Sequence, residues 1–191
     1  MCFTILLCGY VPRCSLDIKD SGQSRFHKIL DLIVACGLSI HDISRVELDA
    51  GSKLPRFNMP LELGADLGLR VKGPSYQRDR RTLILDRDKH RYDITTSDLS
   101  GQDIEAHNGS ETDIIARVRD WLNAGRIGPK PLPGADAIQA DYATYLKIVP
   151  DLIAAEKLDP YDRLGHTDFL WTVYAALEEI QQEPSVVPQR K

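Results

Sequence analysis

The chain has 191 residues and a formal net charge of -4, with 24 Lys and Arg against 28 Asp and Glu. This length suits one well-buried domain with an extension. The acidic balance argues against non-specific binding to nucleic acid or to an anionic membrane surface, because both need a basic excess.

The sequence contains no evident targeting segment or cysteine motif. No apolar stretch approaches the length of a membrane span, and residues 1–8 lack the basic leader and cleavage site of a signal peptide. We therefore expect a cytoplasmic protein. The cysteines have neither C-x-x-C spacing nor a nearby His pair, so they predict buried free thiols instead of disulfides or a zinc site.

The first elements are a short apolar run, a short strand and a helix. Residues 3–7 are apolar on every side, which fits either a buried strand or the end of a helix. Residues 10–14 predict a short strand with Pro12 near an end or an edge. A helix that stops at Gly37 follows. Its apolar residues recur at helical spacing and are Phe26, Ile29, Leu30, Ile33 and Val34.

Residues 38–42 predict a central strand that ends in a carboxylate, Asp42. The polar insert at 44–54 is expected to form a surface loop close to that strand end. The next helix begins near Asn58 or Pro60, because proline suits the first turn of a helix.

That helix carries Gly64 and Gly68 four residues apart on one face. A glycine costs a helix about 1 kcal/mol relative to alanine, so the pair predicts a packing reason. We expect the helix to approach a neighbouring backbone closely there.

A second buried strand is predicted at residues 82–85, with Asp86 at its carboxyl end. Residues 103–107 read as a short edge strand. An amphipathic helix follows at 111–122, with Ser110 as its cap.

The composition changes at Gly125, where a run rich in proline and glycine begins. We expect an α/β domain at residues 1–124, a linker at 125–134, a helical appendage at 135–183 and a disordered tail at 184–191. The alternation of strands and helices predicts a mostly parallel sheet with helices on both faces, followed by a C-terminal helical extension.

Two carboxylates stand where such a fold binds ligands, since an open α/β sheet has its crevice outside the carboxyl ends of its strands. Asp42 ends a strand, and Glu62 lies in the first turns of the following helix. Each has an ordinary alternative: a strand-end Asp often forms a turn, and a helix-start Glu is favoured by the helix dipole. His41 is expected on the opposite face of the strand, as a core or second-layer histidine.

The same region supplies further candidate ligand-binding residues. Arg45 either meets a phosphate or pairs with Glu47 or Asp49. Arg56 and Phe57 are placed to clamp and stack a base, although a hydrophobic staple explains Phe57 equally well. The remaining candidates are Ser44, Asn58 (also a possible helix cap), Asp86 and Arg87.

A metal site is not predicted. Residues of suitable type do occur in the second half of the α/β domain, but their spacing fits no recognised ligand pattern. They are His90, Tyr92, Asp98 and His107. We also expect no bound cofactor.

The run N-M-P-L-E-L-G-A-D-L-G-L at residues 58–69 resembles the N-x-x-x-E-L-G-x-A segment of TIR-like and nucleoside 2-deoxyribosyltransferase-like proteins, many of them bacterial and several acting in phage defence. The strand ending at Asp42, followed by Ser44 and Arg45, looks like the aspartate strand before that segment. More closely, residues 10–122, including P-R-F-N-M-P-L-E-L-G and S-D-L-S-G-Q-D-I, resemble a bacterial family of TIR-like nucleotide-binding proteins. The C-terminal helices are not covered.

The resemblance implies a flavodoxin-like (TIR-like) fold and cleavage of an N-glycosidic bond in nucleosides or in NAD. Glu62 is then the catalytic residue, and Asp42 holds ribose hydroxyls or orients Glu62. Breaking such a bond builds positive charge at the anomeric carbon, which a carboxylate stabilises or attacks. Nicotinamide leaves as a neutral base, so no strong general acid is required.

The resemblance also implies a first strand and loop that this chain does not display, because residues 1–8 align with the end of the first helix in that family. Two functions remain open. One is a nucleotide-binding enzyme that cleaves or transfers the N-glycosidic bond of NAD or a nucleoside, in bacterial defence. The other is a non-catalytic interaction or sensing module that acts through nucleotide binding or self-association, for which a homo-oligomer is expected.

Overall fold

A computed structural model gives the fold of the chain. The described residues are 1–45, 48, 50–51, 53–126, 128 and 130–182. Within them, no helix combines the length and the apolar character needed to cross a membrane. The predicted disordered tail at 184–191 lies outside the described residues.

The described residues form three strands and seven α-helices. The strands are β1 (Leu38–Asp42), β2 (Arg81–Asp86) and β3 (Ile104–Ala106). The helices are α1 (Cys2–Leu7), α2 (Arg25–Ala35), α3 (Asn58–Lys72), α4 (Tyr92–Thr95), α5 (Glu111–Ala124), α6 (Ala135–Ala155) and α7 (His166–Gln182). Single 3₁₀ turns occupy Ser15–Asp17, Ser75–Gln77, Ser97–Leu99 and Tyr161–Arg163. The predicted α/β class with a parallel sheet and C-terminal helices is confirmed.

The chain divides into two compact units. The α/β unit is Arg13–Arg117, and the helical unit combines Met1–Pro12 with Val118–Lys191. This division differs from the predicted boundary after residue 124, because α1 groups with α6 and α7 and the boundary falls inside α5.

The sheet of the α/β unit has the order β1-β2-β3, and both pairings are parallel. Leu38 lies opposite Arg81, and Ile84 lies opposite Ile104. Because all three strands run the same way, their carboxyl ends meet at one edge of the sheet. Each residue that follows a strand is therefore delivered to that edge.

β2 is buried at its centre, as its short apolar run predicts, with Leu83, Ile84 and Leu85 nearly free of solvent. A hydrophobic cluster packs against one face of the sheet. Its buried members are Ile43, Leu63, Ile84 and Tyr92, flanked by Met59, Leu67, Leu99 and Ile104.

A buried polar network lies beside this cluster and centres on Asp66 of α3. Asp66 Oδ1 is 2.6 Å from Nε of Arg80. Its Oδ2 accepts hydrogen bonds from Ser39 Oγ at 2.5 Å and Thr82 Oγ1 at 2.8 Å, and lies 3.3 Å from His41 Nε2. Burial alone raises the pKa of Asp66, but the three hydrogen bonds and the Arg80 charge outweigh it and lower the pKa to about 2.

Arg80 also ends α2. Its guanidinium donates to the carbonyls of Ile33 at 2.8 Å and Cys36 at 3.2 Å, which are left without partners at a helix C-terminus. Gln77 Nε2 adds a bond to the carbonyl of Val34 at 2.9 Å. Gly37 does not take the left-handed conformation of a terminating glycine, so the predicted glycine stop is replaced by side-chain capping.

Two local predictions are wrong. Residues 10–14 are irregular instead of a strand, since they pair with no strand of the described sheet, and Val11 is 69% exposed. A Cβ atom on Gly64 or Gly68 would meet nothing within 4 Å, so close packing does not explain these glycines. Residues 3–7, for which the sequence fits either a buried strand or the end of a helix, belong to the helix α1.

The helical unit has its own aromatic core. Phe3 of α1 contacts Tyr142 and Tyr145 of α6, each with ring centroids 5.4 Å apart. Tyr145 is 1% exposed, and its hydroxyl lies 3.2 Å from Thr172 Oγ1 of α7. These contacts hold the three helices together.

Replacing Arg80 with Met is expected to lower the free energy of unfolding by about 3 to 5 kcal/mol, because it leaves the Asp66 carboxylate buried without its ion partner. Urea denaturation followed by circular dichroism measures the change. Arg78→Met removes an exposed arginine two residues earlier and is expected to stay within about 0.5 kcal/mol of wild type. Equal midpoints for the two variants would contradict a structural role for the ion pair.

Candidate functional site

An open cleft of about 590 Å³ lies at the carboxyl ends of the strands in the α/β unit. This is the edge at which open α/β sheets bind ligands, and the volume lies within the range of small-molecule sites. The cleft is lined by Asp42, Ser44, Arg45, Arg56, Arg87, His107, Gly109 and Ile114. The first five of these are candidates on the sequence alone.

Asp42 ends β1 and enters the cleft with its side chain 30% exposed. Its Oδ1 accepts the backbone N–H of Ser44 at 2.9 Å, which makes a local turn. The same oxygen lies 3.5 Å from Nε2 of His107. The carboxylate therefore forms the strand-end turn and also lines the cleft, and its role in ligand binding stays a prediction.

His107 follows β3, and its side chain is only 6% exposed. Its Nδ1 accepts the backbone N–H of Gly109 at 3.1 Å. A ring nitrogen that accepts a hydrogen bond carries no proton, so the neutral imidazole has its proton on Nε2. Among the described residues Nε2 has no hydrogen-bond partner of good geometry, and the Asp42 carboxylate faces it.

A tight turn connects His107 to α5. Asn108 and Gly109 have positive φ values of 53° and 70°, and the N–H of Ser110 donates to the carbonyl of His107 at 2.8 Å. Ser110 Oγ accepts the N–H of Asp113 at 3.3 Å, which confirms it as the cap of α5. The turn brings the backbone of Gly109 to the cleft wall.

Among the described residues, the lining of the cleft contains three arginines and one carboxylate. Arginine presents a planar fork of N–H donors that matches carboxylate and phosphate oxygens. The arrangement favours an anionic ligand with phosphate or carboxylate groups.

Asp86 is not among the described residues that line the cleft. It is 2% exposed, accepts the N–H of Arg87 at 2.7 Å and forms a short ion pair with Arg91. Arg91 also donates to the carbonyl of Ser44 at 2.7 Å. Asp86 thus anchors the segments after β1 and β2, and its predicted role in direct ligand contact finds no support in this geometry.

Phe57 and Asn58 do not contribute to the described lining of the cleft either. Phe57 is 57% exposed and takes the N-cap position of α3 without a side-chain cap bond. Asn58 is the first residue of the helix and not its cap. The predicted partners of Arg45, Glu47 and Asp49, lie outside the described residues.

Glu62 and Asp42 are not brought together in one cleft. Glu62 lies on α3, one turn before Asp66, and is not among the described residues that line the cleft. Partial burial raises the pKa of Glu62, and the nearby charges of His41 and Arg25 offset only part of that rise. Its catalytic role stays a prediction.

His107 is a polar residue of the cleft that the sequence does not assign to a ligand site, since its residue type suggests only a metal ligand. The sequence signal for His107 is the same as that for Asp42: a polar residue at the carboxyl end of a strand. β3 has only three residues, so the strand end was not distinct enough to draw attention.

Comparison with family models, with curated proteins and with solved structures finds no match for this chain. The resemblance to TIR-like and deoxyribosyltransferase-like proteins therefore stays a prediction. The geometry of the cleft has to support any functional proposal by itself.

Glu62→Gln is expected to stabilise the protein above pH 4.5, the ordinary pKa of this side chain. With the folded-state pKa raised, the unfolded chain releases its proton first as the pH rises, so wild type loses stability relative to the variant. Below that pH the carboxyl group is neutral in both states, and the difference disappears. Thermal unfolding of both proteins at pH 4 and pH 7 measures this difference in stability.

The control for this prediction is Glu178→Gln, which changes an exposed glutamate on α7. It is expected to shift the melting temperature equally little at both pH values. A Glu62→Gln variant that is less stable than wild type at pH 7 would show that the carboxylate is stabilised in the folded protein.

Proposed function

We propose that the protein binds a nucleotide in the cleft at the carboxyl ends of its strands. The observation that carries this proposal is the gathering of Arg45, Arg56 and Arg87 around Asp42. Phosphates of the ligand bind the arginines, and sugar hydroxyls donate to the carboxylate.

The combination of charges supports a ligand with two chemical parts. Bidentate contacts from guanidinium groups are strong for phosphate, because both groups are charged and their geometries match. A carboxylate repels phosphate but accepts hydrogen bonds from hydroxyl groups. A phosphorylated sugar satisfies both, and a nucleotide is the ligand of this type that fits a cleft of about 590 Å³.

The non-catalytic form of this function has the better geometric support. Cleavage of an N-glycosidic bond needs a carboxylate at the anomeric carbon. Glu62 is outside the described lining of the cleft, and Asp42 is held in a turn by Ser44. Cleavage of NAD or a nucleoside is the second candidate, favoured by the partly buried position of Glu62, whose pKa is raised.

Binding is tested by titrating the purified protein with ADP in a calorimeter. We expect Arg87→Met to weaken ADP binding about tenfold or more, since it removes charge-assisted hydrogen bonds to phosphate. Arg78→Met changes an exposed arginine outside the cleft and is expected to leave the affinity unchanged. Higher salt is expected to weaken wild-type binding.

The proposal fails if wild type shows no heat of binding with ADP, or if Arg78→Met weakens binding as much as Arg87→Met does. Adenosine serves as a ligand control, because it keeps the sugar and base but lacks the phosphates. Its affinity is expected to be lower than that of ADP.

Catalysis is tested separately by incubating wild type and Glu62→Gln with NAD and with deoxynucleosides and measuring released base by chromatography. We expect neither protein to release base above the level of a no-protein blank. Release by wild type that disappears in Glu62→Gln would instead establish the enzymatic candidate. That result would mean that Glu62 reaches the ligand in a conformation different from the one described.

A further inference from the structure

We propose that His107 is a positioning residue for Asp42, and that this pair makes the cleft selective for sugar-bearing phosphates over phosphate alone. The inference rests on the proposed nucleotide-binding function and extends it. It identifies which groups of the cleft distinguish one anion from another.

The imidazole of His107 is hydrogen-bonded at one ring nitrogen and faces Asp42 with the other. The N–H of Gly109 occupies Nδ1 at 3.1 Å, so the ring presents Nε2–H toward Asp42 Oδ1 at 3.5 Å. The backbone on each side is also held, because the N–H of His107 donates to the carbonyl of Asp86 at 3.0 Å and its carbonyl accepts from Ser110 at 2.8 Å. These bonds hold the ring with Nε2 facing the carboxylate.

The carboxylate of Asp42 is therefore approached by two donors on the same oxygen. Ser44 N–H lies 2.9 Å from Oδ1, and His107 Nε2 lies 3.5 Å from it. A carboxylate has about four acceptor positions on its two oxygens, so this arrangement leaves acceptor capacity on Oδ2 for ligand hydroxyls. Fixing the group in advance lowers the entropy cost of binding a sugar.

Selectivity follows from the opposite preferences of the two kinds of cleft residue. The arginines contact phosphate whether or not a sugar is attached. Asp42 repels phosphate and gains hydrogen bonds only from a ligand that has hydroxyl groups. Loss of the correct Asp42 orientation should therefore weaken a nucleotide while leaving inorganic pyrophosphate little affected.

The test compares ADP with inorganic pyrophosphate, which share a diphosphate and differ by the nucleoside. His107→Gln keeps an N–H donor near the position of Nε2. His107→Asn keeps an acceptor near the position of Nδ1 but loses the donor to Asp42. We expect His107→Asn to lower the ratio of ADP to pyrophosphate affinity about tenfold and His107→Gln to retain most of it.

A merely structural role for His107 gives a different pattern. In that case His107→Asn, which preserves the bond to Gly109, behaves like wild type, or both variants weaken the two ligands by the same factor. Either result overturns the inference. Thermal melting of each variant confirms that the affinities refer to folded protein.

The failures of the two proposals are distinguishable. If wild type does not bind ADP, the nucleotide-binding proposal fails, and this inference fails with it. If wild type prefers ADP and His107→Asn keeps that preference, only the role of His107 is wrong. As a second readout, Asp42→Asn should lower the affinity ratio, and adding His107→Asn to it should cause no further loss.

Discussion

The ion pair between Asp66 and Arg80 is the contact on which the α/β unit depends. Asp66 is 0% exposed and Arg80 is 3% exposed. Two charges this deeply buried persist only when further hydrogen bonds compensate their lost hydration. Ser39 and Thr82 supply these bonds from β1 and β2, and the guanidinium supplies them to the last turn of α2. One ion pair therefore fixes two helices to the sheet.

A second ion pair lies at the carboxyl ends of the strands, and it keeps one carboxylate out of the described lining of the cleft. Asp86 is bound to Arg91, which also reaches the carbonyl of Ser44 after β1. Asp86, at the end of β2, therefore anchors these loops and does not line the cleft. Asp42 is left as the acid of the described lining, beside three arginines.

The sequence predicts best the features that depend on neighbouring residues. β1 and the start of α3 follow from local apolar patterns and the early proline, and their bounds agree with the structure. Residues 10–14 show the limit of this approach, because a strand requires a partner that no local pattern supplies. The Asp66–Arg80 pair was not foreseen for the same reason, since it joins residues whose proximity only the folded sheet creates.

The candidate site shows the same distinction between local and long-range information. Asp42, Ser44, Arg45 and Arg87 lie at or just after strand ends, and the carboxyl end of a parallel strand is a general location for ligands, so the sequence identifies them. His107 enters the cleft only through the register of β3 against β2. That register is a property of the assembled sheet, and three residues of strand carry little sequence signal for it.

The positions of Glu62 and Asp42 follow from the helical repeat of α3 and from the alternation of side chains along β1. Asp66 is fixed toward His41, and Glu62, one helical turn earlier on α3, lies on the same side, where it feels the His41 charge. Side chains alternate along a strand, so Asp42 points to the face opposite His41, where it meets His107. The two carboxylates thus belong to opposite faces of β1. In the proposed binding mode, a ligand at Asp42 and the arginines lies on the side of the strand that Glu62 does not share.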